Sequence, residues 1–183
     1  MAQKIILGID PGTTVTGYGL IQVQGKKMHL LACGAITLGK QDVPHPEKLG
    51  RIHRRVSSLI EEYKPDAVAL EAPFYGKNPQ SMLKLGRAQG VAMAAAIIKG
   101  LPIFEYAPRK VKVAITGNGA ASKEQVAAML RKLLHFEEEP QYMDATDGLA
   151  VAVCHFFQGD KPQAPSKGKG WADFVKNNPG RLK

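Results

Sequence analysis

The sequence predicts an α/β domain whose mixed sheet has about five strands, the first three antiparallel, and is flanked by helices. Three β-rich runs follow one another at the start of the chain, and short apolar runs then alternate with helical patterns. A length of 183 residues with a hydrophobic share of 44% fits a soluble domain with a sizeable core.

The first three strands are defined by β-branched runs and the turns between them. Residues 4–9 form the first run, which ends at Asp10 because the following Pro-Gly pair stops a strand and begins a turn. Residues 18–24 and 28–38 are predicted as the second and third strands, joined as a hairpin across the Gly-Lys-Lys at 25–27.

Helical patterns then alternate with short strands. Residues 46–63 repeat apolar side chains at helical spacing and carry arginines on the opposite face, and Ser122 with Gln125 has the form of a capping box. The other elements are predicted as strands over 67–70 and 102–106 and helices over 79–99, 108–115, 122–134 and 141–157. A helical crossover lays the fourth strand parallel to the first, which places Asp10 and Glu71 at neighbouring carboxyl ends, where open α/β sheets build their sites.

Charge and composition narrow the class of partner. The net charge of +9 and pI of about 9.6 favour a polyanion, with nucleic acid ahead of an acidic membrane surface. The apolar stretch 91–98 is far shorter than the roughly 20 residues that span a bilayer, and no targeting segment precedes the first strand. Cys33 and Cys154 have no nearby partner in the sequence and are interpreted as small buried thiols in a reducing cytoplasm.

The chain divides into a domain over residues 1–158 and a basic, flexible tail over 159–183, which is rich in Lys, Gly, Pro and Gln. The role of Trp171 in that tail stays open between a docking residue and a disordered one.

Four carboxylates carry the predicted chemistry. Asp10 and Glu71 end strands, and Asp144 and Asp147 lie three residues apart on one face of the last helix. Clustered carboxylates repel one another, and divalent cations relieve the repulsion while supporting phosphodiester hydrolysis. Alternatives remain for each part: Asp10 could bond its own turn, Glu71 could pair with an arginine, and the two helical acids could only favour the helix dipole.

Other residues are candidates for DNA contact. Phe74 and Tyr75 follow Glu71 and could stack on unpaired bases or pack in the core. Arg87, Lys112 and Lys123 flank the expected cleft and could contact phosphate or form a solvated basic face.

Five segments carry a family resemblance. They are ILGIDPG at 6–12, ALEAPF at 69–74, LKLGRAQGVA at 83–92, FEYAPRKVK at 104–112 and DATDGLAVA at 144–152. Together they resemble the RuvC family of Holliday junction resolvases. The resemblance implies a ribonuclease-H-like fold and a homodimer that cuts four-way DNA junctions by paired symmetric nicks, with the RuvA and RuvB branch-migration proteins as partners.

The same resemblance assigns the catalytic and metal-binding roles to Asp10, Glu71, Asp144 and Asp147. It implies two Mg²⁺ ions per site, with Mn²⁺ as a substitute, and favours Phe74 as the residue that stacks on bases. It also places Lys112 and Lys123 nearest the DNA backbone.

Two rival hypotheses follow from the sequence. An ATPase of the actin type has a similar Asp-x-Gly-Thr-Thr loop, but it needs two lobes and this chain has length for one. A non-catalytic junction-binding module would gain nothing from concentrating negative charge where phosphate must lie.

Overall fold

The computed structural model describes residues 3–39, 43–72, 78–136 and 143–160. Their elements are β1 (Gln3–Asp10), β2 (Val15–Gln24), β3 (Lys27–Thr37), α1 (His45–Tyr63), β4 (Ala67–Glu71), α2 (Pro79–Ile98), β5 (Ile103–Tyr106), α3 (Pro108–Thr116), α4 (Lys123–Leu134) and α5 (Met143–Gln158). The described strands form one sheet in the order β3-β2-β1-β4-β5. The predicted α/β class is therefore confirmed.

The strand directions bring several carboxyl ends to one edge of the sheet. β2 is antiparallel to both β1 and β3, so β3 runs in the same direction as β1. β4 is parallel to β1, as predicted, and β5 is parallel to β4. We call the edge where β1, β3, β4 and β5 end the carboxyl edge.

The two faces of the sheet are covered by different helices. Leu7 and Ile9 of β1 are fully buried beneath α1 and α2, whereas Ile6 lies in the core shared with α3, α4 and α5. Because side chains alternate along a strand, Asp10 lies on the same face as Ile6. Asp10 is therefore on the side of the sheet that α5 covers.

Element ends differ from the predictions by a few residues. β2 begins at Val15, three residues earlier than predicted, because Val15 pairs with Thr37 at the end of β3. The capping box is confirmed: Ser122 accepts from the Gln125 backbone N–H, and the Gln125 side chain accepts from the Ser122 backbone N–H.

Glycines let α5 lie directly on the backbone of the sheet. A Cβ atom added to Gly17 would lie 1.9 Å from the Asp144 carbonyl oxygen, and one added to Gly8 would lie 2.3 Å from the Gly148 carbonyl oxygen. A Cβ atom on Gly148 itself would lie 2.5 Å from the Tyr18 backbone. The sequence places these glycines, but only the packed structure shows that they set the height of α5 above β1 and β2.

Several smaller predictions are also resolved. Both cysteines are free thiols, with Cys154 buried and Cys33 half-buried. None of the helices in the described residues is long and apolar enough to cross a membrane. The tail from 161 onward lies outside the described residues, so the division at residue 158 stays a prediction.

Candidate active site

Three of the four predicted carboxylates line one pocket at the carboxyl edge. Asp10, Glu71 and Asp147 surround a cavity of about 90 Å³, together with Lys112 and Lys123. The remaining lining residues are Pro108, Val111, Val126 and Ala150. This cavity has room for only a few water-sized species.

Asp144 lies outside that lining but belongs to the same cluster. It is in the first turn of α5, three residues before Asp147. Its negative charge raises the pKa of Asp10 and of Asp147, although burial is the larger cause for both groups. Asp144 therefore acts on Asp10 and Asp147, and those two carboxylates in turn act on Glu71.

The sheet positions the first two of these groups. Ile9 and Leu70 are paired neighbours in the parallel strands β1 and β4, and Asp10 and Glu71 each follow by one residue. Adjacent strands lie about 4.8 Å apart, so the two side chains begin side by side. The close packing of α5 on Gly17 then brings Asp147 to the same place.

Burial and mutual repulsion disfavour the charged forms of these carboxyl groups. Burial, then the charges of Asp147 and Asp144, raise the pKa of Asp10 to about 7, against the opposing charge of Lys123. Burial, then the charges of Asp10 and Asp147, raise the pKa of Glu71 to about 8. Near neutral pH, and without an added cation, both groups therefore hold protons for much of the time.

Lys123 supplies positive charge inside the cluster. Its Nζ atom lies 2.5 Å from Oδ2 of Asp147. Burial opposes the charged ammonium, but the hydrogen bond and charge of Asp147, together with the charges of Asp10 and Asp144, outweigh it and raise the pKa of Lys123. The capping box fixes this residue as the first of α4, so the start of that helix points an ammonium group at the carboxylates.

The donor chemistry fits a hard divalent cation. In the described residues, no three Asp, Glu, His or Cys side chains lie close enough together to hold a metal ion in their present conformations. The candidate ligands are nonetheless all carboxylates, which Mg²⁺ prefers, and an ammonium group already partly neutralises them. Divalent cations that displaced the protons of Asp10 and Glu71 and the ammonium of Lys123 would balance the carboxylate charge in their place.

Comparison with known proteins identifies the family. Residues 6–155 match the family model described as crossover junction endodeoxyribonuclease RuvC. The chain belongs to the RuvC family. A relative of that name from Bacteroides fragilis is 60% identical over 183 residues, which cover 99% of this chain and 97% of the relative. Another from Cytophaga hutchinsonii is 60% identical over 99% of this chain and 89% of its own length.

Solved structures support the same conclusion. Thermus thermophilus RuvC in complex with a Holliday junction substrate is 37% identical, with a TM-score of 0.78 over 85% of this chain and 94% of that chain. The yeast mitochondrial Holliday junction resolvase has a TM-score of 0.62 at 14% identity and supports the fold alone. The predicted ribonuclease-H-like fold is thereby confirmed.

The residues predicted to contact DNA do not all lie in the carboxylate pocket. In this RuvC-family chain Lys112 and Lys123 line the carboxylate pocket. Arg87 lies on an exposed part of α2 outside that lining, where its charge helps burial to lower the pKa of His45. Phe74 and Tyr75 lie outside the described residues.

A polar contact beneath Glu71 was missed in the sequence. Gln89 of α2 is only 7% exposed, and its Nε2 donates to Oε1 of Glu105 at 2.6 Å and, more weakly, to the Glu71 carbonyl oxygen at 3.5 Å. It ties the carboxyl ends of β4 and β5 to α2. A glutamine among alanines on the inner face of a helix was the available signal.

His155 of α5 is a core residue. It is 1% exposed, and its Nδ1 lies 2.7 Å from the Tyr106 hydroxyl oxygen. Phe104 packs against its ring, with the ring centroids 4.3 Å apart. His155 therefore helps to anchor the last turns of the helix that carries Asp144 and Asp147.

Proposed function

We propose that this chain is a Mg²⁺-dependent crossover junction endodeoxyribonuclease that resolves four-way DNA junctions by paired symmetric nicks. Membership of the RuvC family and the likeness to Thermus thermophilus RuvC in complex with a Holliday junction substrate support this function. The observation that carries the proposal is the cluster of buried carboxylates beside Lys112 and Lys123 at the carboxyl edge. The corresponding biological role is homologous recombination and DNA repair in the cytoplasm.

The proposed metal ligands are Asp10, Glu71, Asp144 and Asp147. Asp10 occupies the central place, since the charges of both helical aspartates act on it and its own charge acts on Glu71. Two bound Mg²⁺ ions, or Mn²⁺ in their place, would lower the pKa of the attacking water and stabilise the departing 3′ oxygen. The carboxylates must be ionised to bind such cations, so protons leave Asp10 and Glu71 as the site fills.

Lys123 and Lys112 act on the DNA strand in this proposal. With a cation held by the carboxylate of Asp147, the Lys123 ammonium would be free to leave its 2.5 Å contact and to reach a phosphate oxygen. Lys112 lines the same pocket from α3 and supplies a second positive charge for the phosphate backbone. Phe74, with Tyr75 beside it, is proposed to stack on bases at the junction centre, and Arg87 to contact phosphate farther from the cut.

A homodimer would supply the two active sites that paired nicks require. The surface that best fits a second copy is the exposed face of α2, where Leu83 is 63% exposed and Ile97 is 64% exposed. Between them, methyl groups added at Gly86 or Gly90 would meet nothing within 4 Å, so another helix can approach closely. A charged substitution, Gly90→Glu, should lower the dimer fraction in sedimentation, and an unchanged mass would move the interface elsewhere. Family membership also suggests RuvA and RuvB as partners.

A synthetic four-way junction tests the proposed activity directly. The chain should nick the junction symmetrically with Mg²⁺, leave it intact with EDTA, and leave a linear duplex of the same sequence uncut. Asp10→Asn should abolish nicking while retaining junction binding. Undiminished nicking by that variant, or binding without any cleavage by the parent, would contradict the assignment, and the second result would favour a non-catalytic binding module.

A further inference from the structure

A second basic surface lies on the other face of the sheet from Lys112 and Lys123. Arg51, Arg54 and Arg55 of α1, which we call the α1 arginine patch, line an open groove of about 460 Å³ against residues 35–37 of β3. An adjoining groove of about 410 Å³ runs between α1 and α2 and shares Arg54 and Ser58 with the first. The two grooves therefore form one continuous path across the outside of α1.

Helical spacing makes the patch a single surface. Ile52, Val56 and Leu59 are fully buried against the sheet, which turns the opposite face of α1 outward. Positions three and four residues apart lie together on a helix, so Arg54 and Arg55 both neighbour Arg51. The outward face is therefore basic over about one turn.

The patch keeps a net positive charge after its internal contacts are counted. Arg51 pairs with Glu47 at 2.6 Å, while Arg55 donates to the Tyr18 hydroxyl at 2.7 Å and lies over that ring. Arg54 is exposed and forms no hydrogen bond or ion pair with another described residue. Three arginines against one glutamate leave two positive charges, of which the guanidinium of Arg55 is held in place by Tyr18.

The strand order places this patch near the carboxylates. The β3 residues in the groove include Ile36 and Thr37, which end their strand at the carboxyl edge, as Asp10 does. β2 lies between β3 and β1, so β3 is two strand spacings, or about 10 Å, from β1. The patch itself lies farther from the carboxylates than this spacing, because α1 covers the face of the sheet opposite to Asp10.

We propose that the α1 arginine patch binds the phosphate backbone of a duplex arm that leads away from the cleavage site. This inference rests on the proposed function and adds a second anchoring surface to it. Charge complementarity identifies the occupant: the patch is positive, contains fork-shaped arginines that match phosphate oxygens, and has the Ser58 hydroxyl beside them. The chain's own tail is an unsuitable occupant because residues 161–183 carry six Lys or Arg and one Asp.

Salt dependence of DNA binding tests the proposal with a matched control. The variant is Arg51→Gln with Arg54→Gln, and the control is Lys26→Gln with Lys27→Gln, which removes the same charge from the exposed β2–β3 turn at the opposite edge of the sheet. Binding of a four-way junction and of a linear duplex is measured with EDTA present over a range of salt concentrations. Thermal unfolding of each variant checks that the fold is kept.

In the arginine variant, the plot of log binding constant against log salt concentration should be shallower, its negative slope reduced in size by about 2. Binding of both DNAs should weaken roughly tenfold to fiftyfold at about 0.1 M salt. The control should leave the slope nearly unchanged. An unchanged slope in the arginine variant overturns the proposal and favours an acidic protein segment as the occupant. Equal losses in both variants also overturn it, since they would reflect overall charge. Junction cleavage by the unsubstituted chain tests the proposed function separately.

Discussion

Replacing Asp10 by Asn should stabilise the metal-free protein at alkaline pH, although it removes a proposed metal ligand and abolishes nicking. The unfolded Asp10 carboxyl titrates near 3.8, whereas burial and the charges of Asp147 and Asp144 raise its pKa in the folded chain to about 7. Between these two values the unfolded chain ionises first as the pH rises. The folded state therefore loses stability relative to the unfolded state as the pH rises through that window.

The size of the effect follows from the shift. A displacement of about three pKa units at about 1.4 kcal/mol each corresponds to a cost of about 4 kcal/mol above pH 7, falling to about 2 kcal/mol near pH 5. Asn at this position is neutral at every pH and carries none of this cost. Removing the Asp10 charge also relieves Glu71, whose pKa is raised by burial and then by Asp10.

Urea unfolding with EDTA present measures the effect. At about pH 8 Asp10→Asn should exceed the parent in free energy of unfolding by a few kcal/mol, and near pH 5 the difference should shrink by about half. Mg²⁺ should then stabilise the parent at pH 8 and have much less effect on the variant. A difference that does not change with pH would refute the reasoning, because the raised pKa would then have no energetic consequence.

Three further predictions address the elements that build the site. Gly17→Ala should lower the free energy of unfolding in urea by about 3 kcal/mol and abolish nicking, because its Cβ atom would lie 1.9 Å from the Asp144 carbonyl oxygen of α5. The control Gly50→Ala should be tolerated, because its added methyl group meets only the end of a flexible side chain. Lys123→Gln should have the opposite effect to Asp10→Asn and destabilise the metal-free protein at about pH 8, because the variant loses the ammonium charge that lowers the pKa of Asp10. Equal stability of the variant and the parent would contradict this expectation. Tyr106→Phe should lower the free energy of unfolding in urea by about 1 kcal/mol, because it loses the hydrogen bond to the buried His155 imidazole. It should leave the Mg²⁺ dependence of nicking unchanged. A shifted Mg²⁺ requirement would point to a role of Tyr106 in the metal site.

Local patterns predicted most of the elements. A β-branched run and the Pro-Gly turn after Asp10 defined β1, and Ser122 with Gln125 defined the start of α4, because these signals depend only on nearby residues. The crossover rule predicted that Asp10 lies beside Glu71, as the pairing of β1 with β4 confirms. The boundary of β2 was predicted less well, because pairing between Val15 and Thr37 extends the strand and that contact is distant in sequence.

The sequence by itself determined the chemical character of the site: carboxylates at two strand ends and on one helix face, in a chain of net charge +9. Only the tertiary structure decided how those groups meet. The glycines that let α5 rest on β1 and β2, the Lys123 ammonium against Asp147 and the buried Gln89 beneath Glu71 all join segments far apart in the chain. Such contacts depend on the distance between packed backbones, which no local pattern of residues specifies.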